Sequence, residues 1–314
     1  MQGNIFKIEK NALPDGQGLT ATIYFKGCPL RCSWCSGPRF KTPPKQILWD
    51  SRRCLFCGLC EAECPAGSLR FVSNKLVFSP DSCTGCRSCV QNCPPGTLRF
   101  AAMLMSLDEI MDIIGADAES YGSRGGVILS GGDALLQPEF ASALLKECHR
   151  RSIRTTVETT GFSKPLAFSR LAANTDLLIM DIKHYCEKKH VRYTGVSNQS
   201  ILENLDFAVA SGIPVAARLT IVPGINDTLY DAAQFGKLLA AHRVKDVILL
   251  TPKQFSDYKN GQLLISPCEQ NGGAPSPFNA IQYIAALQGF GLNVRQAAGT
   301  EPLVLPEQSG SRSA

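Results

Sequence analysis

The sequence predicts an α/β fold in which an incomplete parallel barrel is interrupted by a small cysteine-rich unit. Apolar strand-like segments alternate with amphipathic helical segments along most of the chain, as in a parallel sheet covered by helices on both faces. Six such strands are too few for a complete barrel, which has eight β/α units. After the first strand, residues 48–101 carry eight cysteines in two similar runs, which indicates an inserted unit.

The barrel elements can be assigned in chain order. Strands are predicted at 20–26, 125–132, 153–161, 176–184, 215–224 and 244–252, with a last short strand at 291–297. Helices are predicted at 106–122, 138–151, 198–212, 229–242 and 278–291. Ser106 and Glu109 form a capping-box pair, Pro138 lies in a first helical turn and Gly212 is a helix stop. The prediction is a partial (β/α)6 TIM-like barrel over residues 1–47 and 102–300, with 301–314 as a disordered tail.

Composition favours a globular protein in a reducing compartment. The 314 residues carry a net charge of +5 with dispersed Lys and Arg, and no basic stripe with interleaved aromatic residues points to nucleic acid. No apolar run approaches the roughly 18 residues of a membrane helix, and the N-terminus is too polar for a signal peptide. We therefore expect a cytoplasmic protein whose fourteen cysteines bind metal rather than form disulfides.

The inserted unit is an internal repeat. Residues 54–64 and 83–93 both read C-x2-C-x2-C-x3-C, each is followed by proline, and the offset is 29 residues. This is the spacing of a bacterial-ferredoxin-like domain with two [4Fe–4S] clusters, in which the fourth cysteine of each run crosses to the other cluster. Zinc knuckles are the alternative, but they usually present two separate C-x2-C pairs. The predicted ligands are Cys54, Cys57, Cys60 and Cys93 for one cluster, and Cys64, Cys83, Cys86 and Cys89 for the other.

A third cysteine motif follows the first predicted strand. GCPLRCSWC, residues 27–35, places three cysteines at C-x3-C-x2-C spacing. A [4Fe–4S] cluster normally takes four thiolates, so three leave one iron open, and an open metal position is where a substrate binds. Alternatively, Cys148, Cys186 or Cys268 closes the cluster, although these residues are more typical of small buried hydrophobic side chains.

This motif, at this place in a β/α barrel, resembles the radical S-adenosylmethionine (SAM) superfamily. The whole chain resembles the glycyl radical enzyme activating enzymes of the subgroup with two extra clusters. The supporting segments are GCPLRCSWC, the cysteine repeat, VILSGGDALLQPEF, residues 181–205 and RLTIVPGIND. The resemblance implies reductive cleavage of SAM to a 5′-deoxyadenosyl radical, which abstracts hydrogen from a glycine of a partner glycyl radical enzyme. We further expect an electron donor such as flavodoxin or ferredoxin, a bound monovalent cation and a monomeric chain.

The resemblance also implies roles for individual residues. Cys28, Cys32 and Cys35 would bind the catalytic cluster, Lys183 would act in catalysis, and Asp15 would meet the glycyl loop of the partner. The residues implied to contact SAM are Trp34, Ser36, Gly131, Gly132, Asp133, Glu158, Asp181, Ile182, Lys183, Arg218 and Lys253. Asp133 would accept bonds from the ammonium of the cofactor, and Lys183 and Arg218 would face its carboxylate. For these two cations, ordinary surface salt bridges are the alternative.

Two other functions stay open at this stage. The chain could be a radical SAM enzyme that modifies a peptide, an RNA or a small molecule, or a ferredoxin-type electron carrier with a vestigial barrel. Thr20 and Lys253 stand where the activating enzymes have arginine and histidine, and Asp133 replaces a glutamate. We expect the two extra clusters to relay electrons to the first, with a purely structural role as the alternative.

Overall fold

The structure is a computed structural model that describes residues 1–13, 18–35, 46–122, 124–250 and 279–297. Asp15, Ser36, Lys253, Cys268 and the predicted tail therefore lie outside the described residues.

Strands and helices alternate along most of the described chain. The strands are β1 (Gln2–Ala12), β2 (Leu19–Phe25), β3 (Ile47–Trp49), β4 (Leu69–Val72), β5 (Lys75–Phe78), β6 (Leu98–Phe100), β7 (Met103–Ser106), β8 (Gly126–Gly131), β9 (Thr155–Thr159), β10 (Leu177–Asp181), β11 (Val215–Thr220), β12 (Asp246–Leu250) and β13 (Asn293–Gln296). The helices are α1 (Leu59–Ala62), α2 (Ser88–Gln91), α3 (Leu107–Gly115), α4 (Pro138–Arg150), α5 (Pro165–Ala172), α6 (Glu187–Thr194), α7 (Gln199–Ala210), α8 (Leu229–Ala241) and α9 (Ala280–Gln288). None of these helices is long and apolar enough to cross a membrane.

The large sheet is mostly parallel, as predicted. Among the described residues its strand order is β13-β12-β11-β10-β9-β8-β2-β1-β7. Within this order, neighbouring strands in the run β2, β8, β9, β10, β11, β12 and β13 pair in parallel. The short strand predicted at 291–297 is β13. The sequence did not predict β1 and β7, which pair antiparallel at one end of the sheet. The result is an open α/β sheet consistent with a partial barrel.

Both faces of the parallel sheet are buried, which explains the uninterrupted apolar strands in the sequence. In β10, Leu178 and Met180 belong to the core between the sheet and its helices. Leu177 and Ile179 point to the opposite face, in a second buried cluster that includes Ala216. Successive side chains of a strand alternate between its faces, so β10 contributes to two cores.

The sequence predicted some of the helices and missed others. α3 begins with the predicted capping box, in which the Ser106 hydroxyl accepts from Glu109 N at 3.2 Å and the Glu109 carboxylate accepts from Ser106 N at 2.7 Å. The predicted helix 106–122 is too long, because α3 ends at Gly115 and a short 3-10 turn follows. The sequence also missed α5 and α6. In α6, His190 and Thr194 are the buried residues, so its apolar periodicity is weak.

The cysteine-rich segment packs around a hydrophobic cluster of its own. β3 pairs antiparallel with β6, and β4 pairs antiparallel with β5. The buried residues of this cluster are Ile47, Cys60, Leu69, Leu76, Cys89 and Leu98. At its boundary, Ala101 N donates to Gln46 O at 2.8 Å, and the buried Lys26 ammonium donates to the Gln46 side chain at 2.7 Å. The segment therefore leaves and rejoins the larger sheet at neighbouring points.

Two serines should respond oppositely to substitution by alanine. Ser106→Ala removes the N-cap of α3 and should lower the free energy of unfolding by about 1 kcal/mol. Ser142 lies in α4, and its buried hydroxyl has no partner among the described residues, so Ser142→Ala should be neutral or stabilising. Urea denaturation of the metal-free protein measures both. Equal destabilisation by the two changes would contradict the capping argument.

Candidate active site at the carboxyl ends of the strands

Three cysteines follow directly after β2 and lie near enough for Cys32 and Cys35 to influence the charge of Cys28, although no three of the described His, Cys, Asp and Glu side chains are placed to hold a single metal ion. Cys32 is buried, while Cys28 and Cys35 are half-buried. Burial, together with the charges of Asp133, Cys32 and Cys35, raises the pKa of the Cys28 thiol to about 12. Three neighbouring thiolates in such a site repel one another. A bound metal cluster would supply the positive charge that relieves this repulsion.

The last turn of α6 holds the cysteine loop through its backbone. Arg31 N donates to Thr194 O at 2.7 Å, and Ser33 N donates to Tyr193 O at 3.0 Å. Carbonyls at the end of a helix lack partners within the helix, so the loop amides satisfy them. The Trp34 ring lies 5.7 Å from the Tyr193 ring, centroid to centroid. This YTG segment, 193–195, lies within residues 181–205, which carry part of the family resemblance, but the sequence does not indicate its contact with the cysteine loop.

The glycines at the end of β8 allow the end of β2 and the start of the cysteine loop to pass close to β8. A Cβ atom on Gly131 would lie 2.6 Å from Phe25 O, and one on Gly132 would lie 1.8 Å from Gly27 O. Gly132 N donates to Phe25 O at 2.9 Å, and Asp133 N donates to Gly27 O at 2.8 Å. Any side chain at these two glycines would push the start of the cysteine loop away from β8.

The Asp133 carboxylate is fully buried and surrounded by protein donors. It accepts hydrogen bonds from Leu135 N at 3.0 Å, from Thr159 Oγ1 at 2.8 Å, and from both Thr160 N and Thr160 Oγ1, at 2.8 and 2.5 Å. Burial raises its pKa, and these hydrogen bonds oppose that effect without cancelling it. A carboxylate has about four lone-pair positions, and these four hydrogen bonds occupy them. Because the threonines lie at the end of β9, the Asp133 side chain links the end of β8 to the end of β9. Its contact with the ammonium of SAM stays a prediction.

Four strand ends meet in a chain of ionic contacts. Arg218 on β11 contacts Asp181 on β10 with two nitrogens, Nε at 2.7 Å and Nη2 at 2.8 Å. Its Nη1 lies 2.9 Å from Glu158 Oε2 on β9, and Ser130 Oγ on β8 donates to the same oxygen at 2.6 Å. Lys183 Nζ lies 3.2 Å from Asp181 Oδ2. Two cations and two carboxylates therefore balance one another at the edge of the sheet.

This ionic network is buried rather than on the surface. The four charged side chains are 9–15% exposed. Burial alone would raise the pKa of Asp181, but Arg218 and Lys183 outweigh burial and hold that pKa well below its usual range. Burial lowers the pKa of Lys183, whereas the charges of Asp181 and Cys32 raise it, with a net increase. The influence of Cys32 indicates that the Lys183 ammonium lies on the side of the cysteine loop.

The remaining predicted contacts divide into two groups. Ile182 is buried, and its N–H donates to Arg218 O at 3.1 Å, so its backbone is part of the sheet edge. Asp15, Ser36 and Lys253 lie outside the described residues. Ser130 lies within the segment VILSGGDALLQPEF, and the sequence gives no partner for its hydroxyl. Its contact with Glu158 depends on the parallel pairing of β8 with β9, which sequence periodicity does not specify.

Arg218 should be the most costly charge to remove from this network. Arg218→Met leaves the buried Glu158 carboxylate without a cation and leaves Asp181 with Lys183 alone, so it should lower the free energy of unfolding by about 3–5 kcal/mol. Arg218→Lys should recover part of the loss, because lysine cannot contact both oxygens of Asp181 in the same fork. Urea denaturation at neutral pH measures the effect.

Arg150→Met is the matched control, because Arg150 pairs with Glu147 at the surface of α4 with 69% of its side chain exposed. It should have little effect on stability. Equal losses for Arg218→Met and Arg150→Met would contradict a buried network.

Comparison with known proteins agrees with this geometry. A family model described as the radical SAM superfamily matches residues 22–236. The (2S)-3-sulfopropanediol sulfolyase activating enzyme of Bilophila wadsworthia is 40% identical over 235 residues, covering 73% of this chain and 78% of that protein. The choline trimethylamine-lyase activating enzyme of Oleidesulfovibrio alaskensis is 35% identical over 260 residues, covering 82% of this chain and 80% of that protein.

Solved structures support the fold. The crystal structure of a radical SAM methyltransferase from Sphaerobacter thermophilus superposes with a TM-score of 0.51 at 12% identity, covering 94% of this chain and 78% of that one. At this identity the likeness concerns the fold alone. The family match and the two relatives carry the assignment further: the chain belongs to the radical SAM superfamily and, within it, to the activating enzymes of glycyl radical enzymes.

Proposed function

We propose that this chain generates a glycyl radical in a partner enzyme. Membership of the superfamily implies a [4Fe–4S] cluster and SAM. When bound, the reduced cluster supplies the electron that cleaves SAM, and the resulting 5′-deoxyadenosyl radical takes a hydrogen atom from a glycine of the partner. The observation that carries the proposal is the three-cysteine loop, which lies beside a buried ionic network at the carboxyl ends of the strands.

Cys28, Cys32 and Cys35 would hold three irons and leave the fourth open to the cofactor. Lys183 is the best-placed cation for the carboxylate of SAM. An ammonium has three N–H donors, the contact with Asp181 occupies one of them, and the influence of Cys32 on its pKa supports its position beside the loop. Arg218, by contrast, already has two carboxylate partners, so its proposed role is to hold Asp181 and Glu158 in place.

The other proposed SAM contacts surround this edge of the sheet. They are Trp34, Ser36, Gly131, Gly132, Asp133, Glu158, Asp181, Ile182 and Lys253. The predicted monovalent cation would compete with the Arg218 guanidinium for the carboxylates of Glu158 and Asp181. Asp15 keeps its proposed role as a contact to the glycyl loop of the partner.

We also propose that residues 48–101 form a ferredoxin-like domain with two further clusters. A small cavity is lined by all four cysteines of the first predicted set, Cys54, Cys57, Cys60 and Cys93. Burial raises the pKa of Cys60, and the charges of Cys54 and Cys93 add to the increase. The crossed pairing of the two runs therefore has support from side-chain proximity.

The second predicted set has similar support. Burial raises the pKa of the Cys89 thiol to about 11, and the charges of Cys64, Cys83 and Cys86 contribute. The proposed role of both clusters is to relay electrons from a donor such as flavodoxin or ferredoxin to the cysteine loop after β2.

Anaerobic reconstitution tests the catalytic cluster. The wild-type protein should bind about twelve irons, four per cubane, and should form 5′-deoxyadenosine from SAM after reduction with dithionite. Cys32→Ala should lose about four of these irons and the product. Cys148→Ala is the matched control, because this thiol is buried in α4, and it should keep both. Wild-type protein with about eight irons and no product would instead support the electron-carrier alternative.

The relay role makes a separate prediction about the source of electrons. Cys54→Ala should remove a ligand of one extra cluster and leave dithionite-driven formation of 5′-deoxyadenosine intact, because dithionite can reduce the catalytic cluster directly. The same variant should lose most of its product when flavodoxin is the donor. Full yield with flavodoxin would favour a purely structural role for the extra clusters.

A further inference from the structure

Trp49 lines the first cysteine cavity and carries a buried hydrogen-bond donor, its indole N–H. Its side chain lines the cavity that is also lined by Cys54, Cys57, Cys60 and Cys93. Its indole Nε1 is inaccessible to solvent and has no hydrogen-bond partner among the described residues. A buried donor is normally paired, and one left unpaired costs about 1–3 kcal/mol. The protein therefore maintains, at this cavity, a donor that needs an acceptor.

The surroundings of the ring explain why protein groups do not supply that acceptor. Trp49 packs edge-on against Phe56 at 6.1 Å and against Phe71 at 6.0 Å, centroid to centroid. Phe71 also lines the cavity. These rings fix the indole and exclude water from it, but they offer no oxygen or nitrogen acceptor. A cluster held by the four cysteines would present thiolate and sulfide sulfurs, which are acceptors.

We propose that Trp49 Nε1–H donates a hydrogen bond to a sulfur of the cluster held by Cys54, Cys57, Cys60 and Cys93, and so raises its reduction potential. The proposal rests on the function proposed above for residues 48–101. Reduction adds one negative charge to the cluster, and a donor aimed at a sulfur stabilises the more negative state. Trp49 thus makes this cluster easier to reduce.

The internal repeat provides a comparison within the same molecule. At the 29-residue offset, Phe78 is the counterpart of Trp49, and phenylalanine has no N–H. The two halves share a backbone donor, because Phe56 N donates to Cys54 Sγ and Gly85 N to Cys83 Sγ, both at 3.4 Å. The indole donor thus belongs to the first half alone.

The second half has a side-chain contact of a different kind. Ser88 Oγ lies 3.4 Å from Cys86 Sγ, and its counterpart in the first half is Leu59. The indole N–H is therefore expected to raise the potential of the first cluster relative to the same cluster without it. Which of the two extra clusters has the higher potential depends on the other contacts as well.

Redox titration of the reconstituted protein, followed by EPR spectroscopy, tests the proposal. Trp49→Phe installs the residue found in the second half and should lower the equilibrium constant for reducing one cluster about tenfold, which is about 59 mV for a one-electron couple. The other two clusters and the iron content should not change. Phe71→Leu is the matched control, because it loosens packing in the same cavity without removing a donor, and its potential should stay near the wild-type value.

A second measurement keeps the test decisive if Trp49→Phe fails to bind iron. The chain has two tryptophans, Trp34 and Trp49, so Trp34→Phe protein labelled with 15N-tryptophan reports on Trp49 alone. Pulsed EPR should detect coupling between the indole nitrogen of Trp49 and a reduced cluster. Absence of coupling, or unchanged potentials in Trp49→Phe with about twelve irons bound, would overturn the hydrogen bond alone. Wild-type protein with about four irons would overturn the two extra clusters as well.

Discussion

The pairing of Arg218 with two carboxylates is the constraint on which the active-site edge depends. Parallel strands bring their last side chains to one edge, and here that edge brings the buried Glu158 and Asp181 carboxylates to the same guanidinium. Two carboxylates that share one cation repel each other more strongly where water is excluded. The guanidinium offsets this repulsion and fixes both carboxylates through its planar fork. Lys183 can then lie towards the cysteine loop while still paired with Asp181.

Sequence periodicity predicted the parallel strands because each is buried on two faces, which leaves an apolar run that few other environments tolerate. β1 was missed because its sequence, QGNIFKIEKNA, mixes charged and apolar residues, and its last residues are exposed. α6 was missed because most of its side chains face solvent. Both elements are stabilised by partners distant in sequence: β1 pairs with β7 as well as with its neighbour β2, and the end of α6 contacts the cysteine loop.

At the site, the sequence identified which residue types stand at the strand ends but not how they pair. Arg218 could have met a ligand, a carboxylate or solvent, and the choice depends on the register between β10 and β11, where Asp181 and Arg218 are direct neighbours. Asp133 was expected to face a ligand, yet Thr159 and Thr160 surround its carboxylate. Helix α4 lies between Asp133 and these threonines in the sequence, and local sequence patterns do not predict contacts across such a separation.

The hydrogen bond between Ala101 N and Gln46 O, 2.8 Å long, has a consequence for how such a chain can be built. The two ends of the cysteine-rich segment are neighbours, and β7 pairs with β1 on the far side of the junction, so the sheet does not rely on the segment for its continuity. A gene could gain or lose this stretch in a single event and still encode an intact sheet. The same arrangement would let protein engineers exchange the segment as a cassette between related chains.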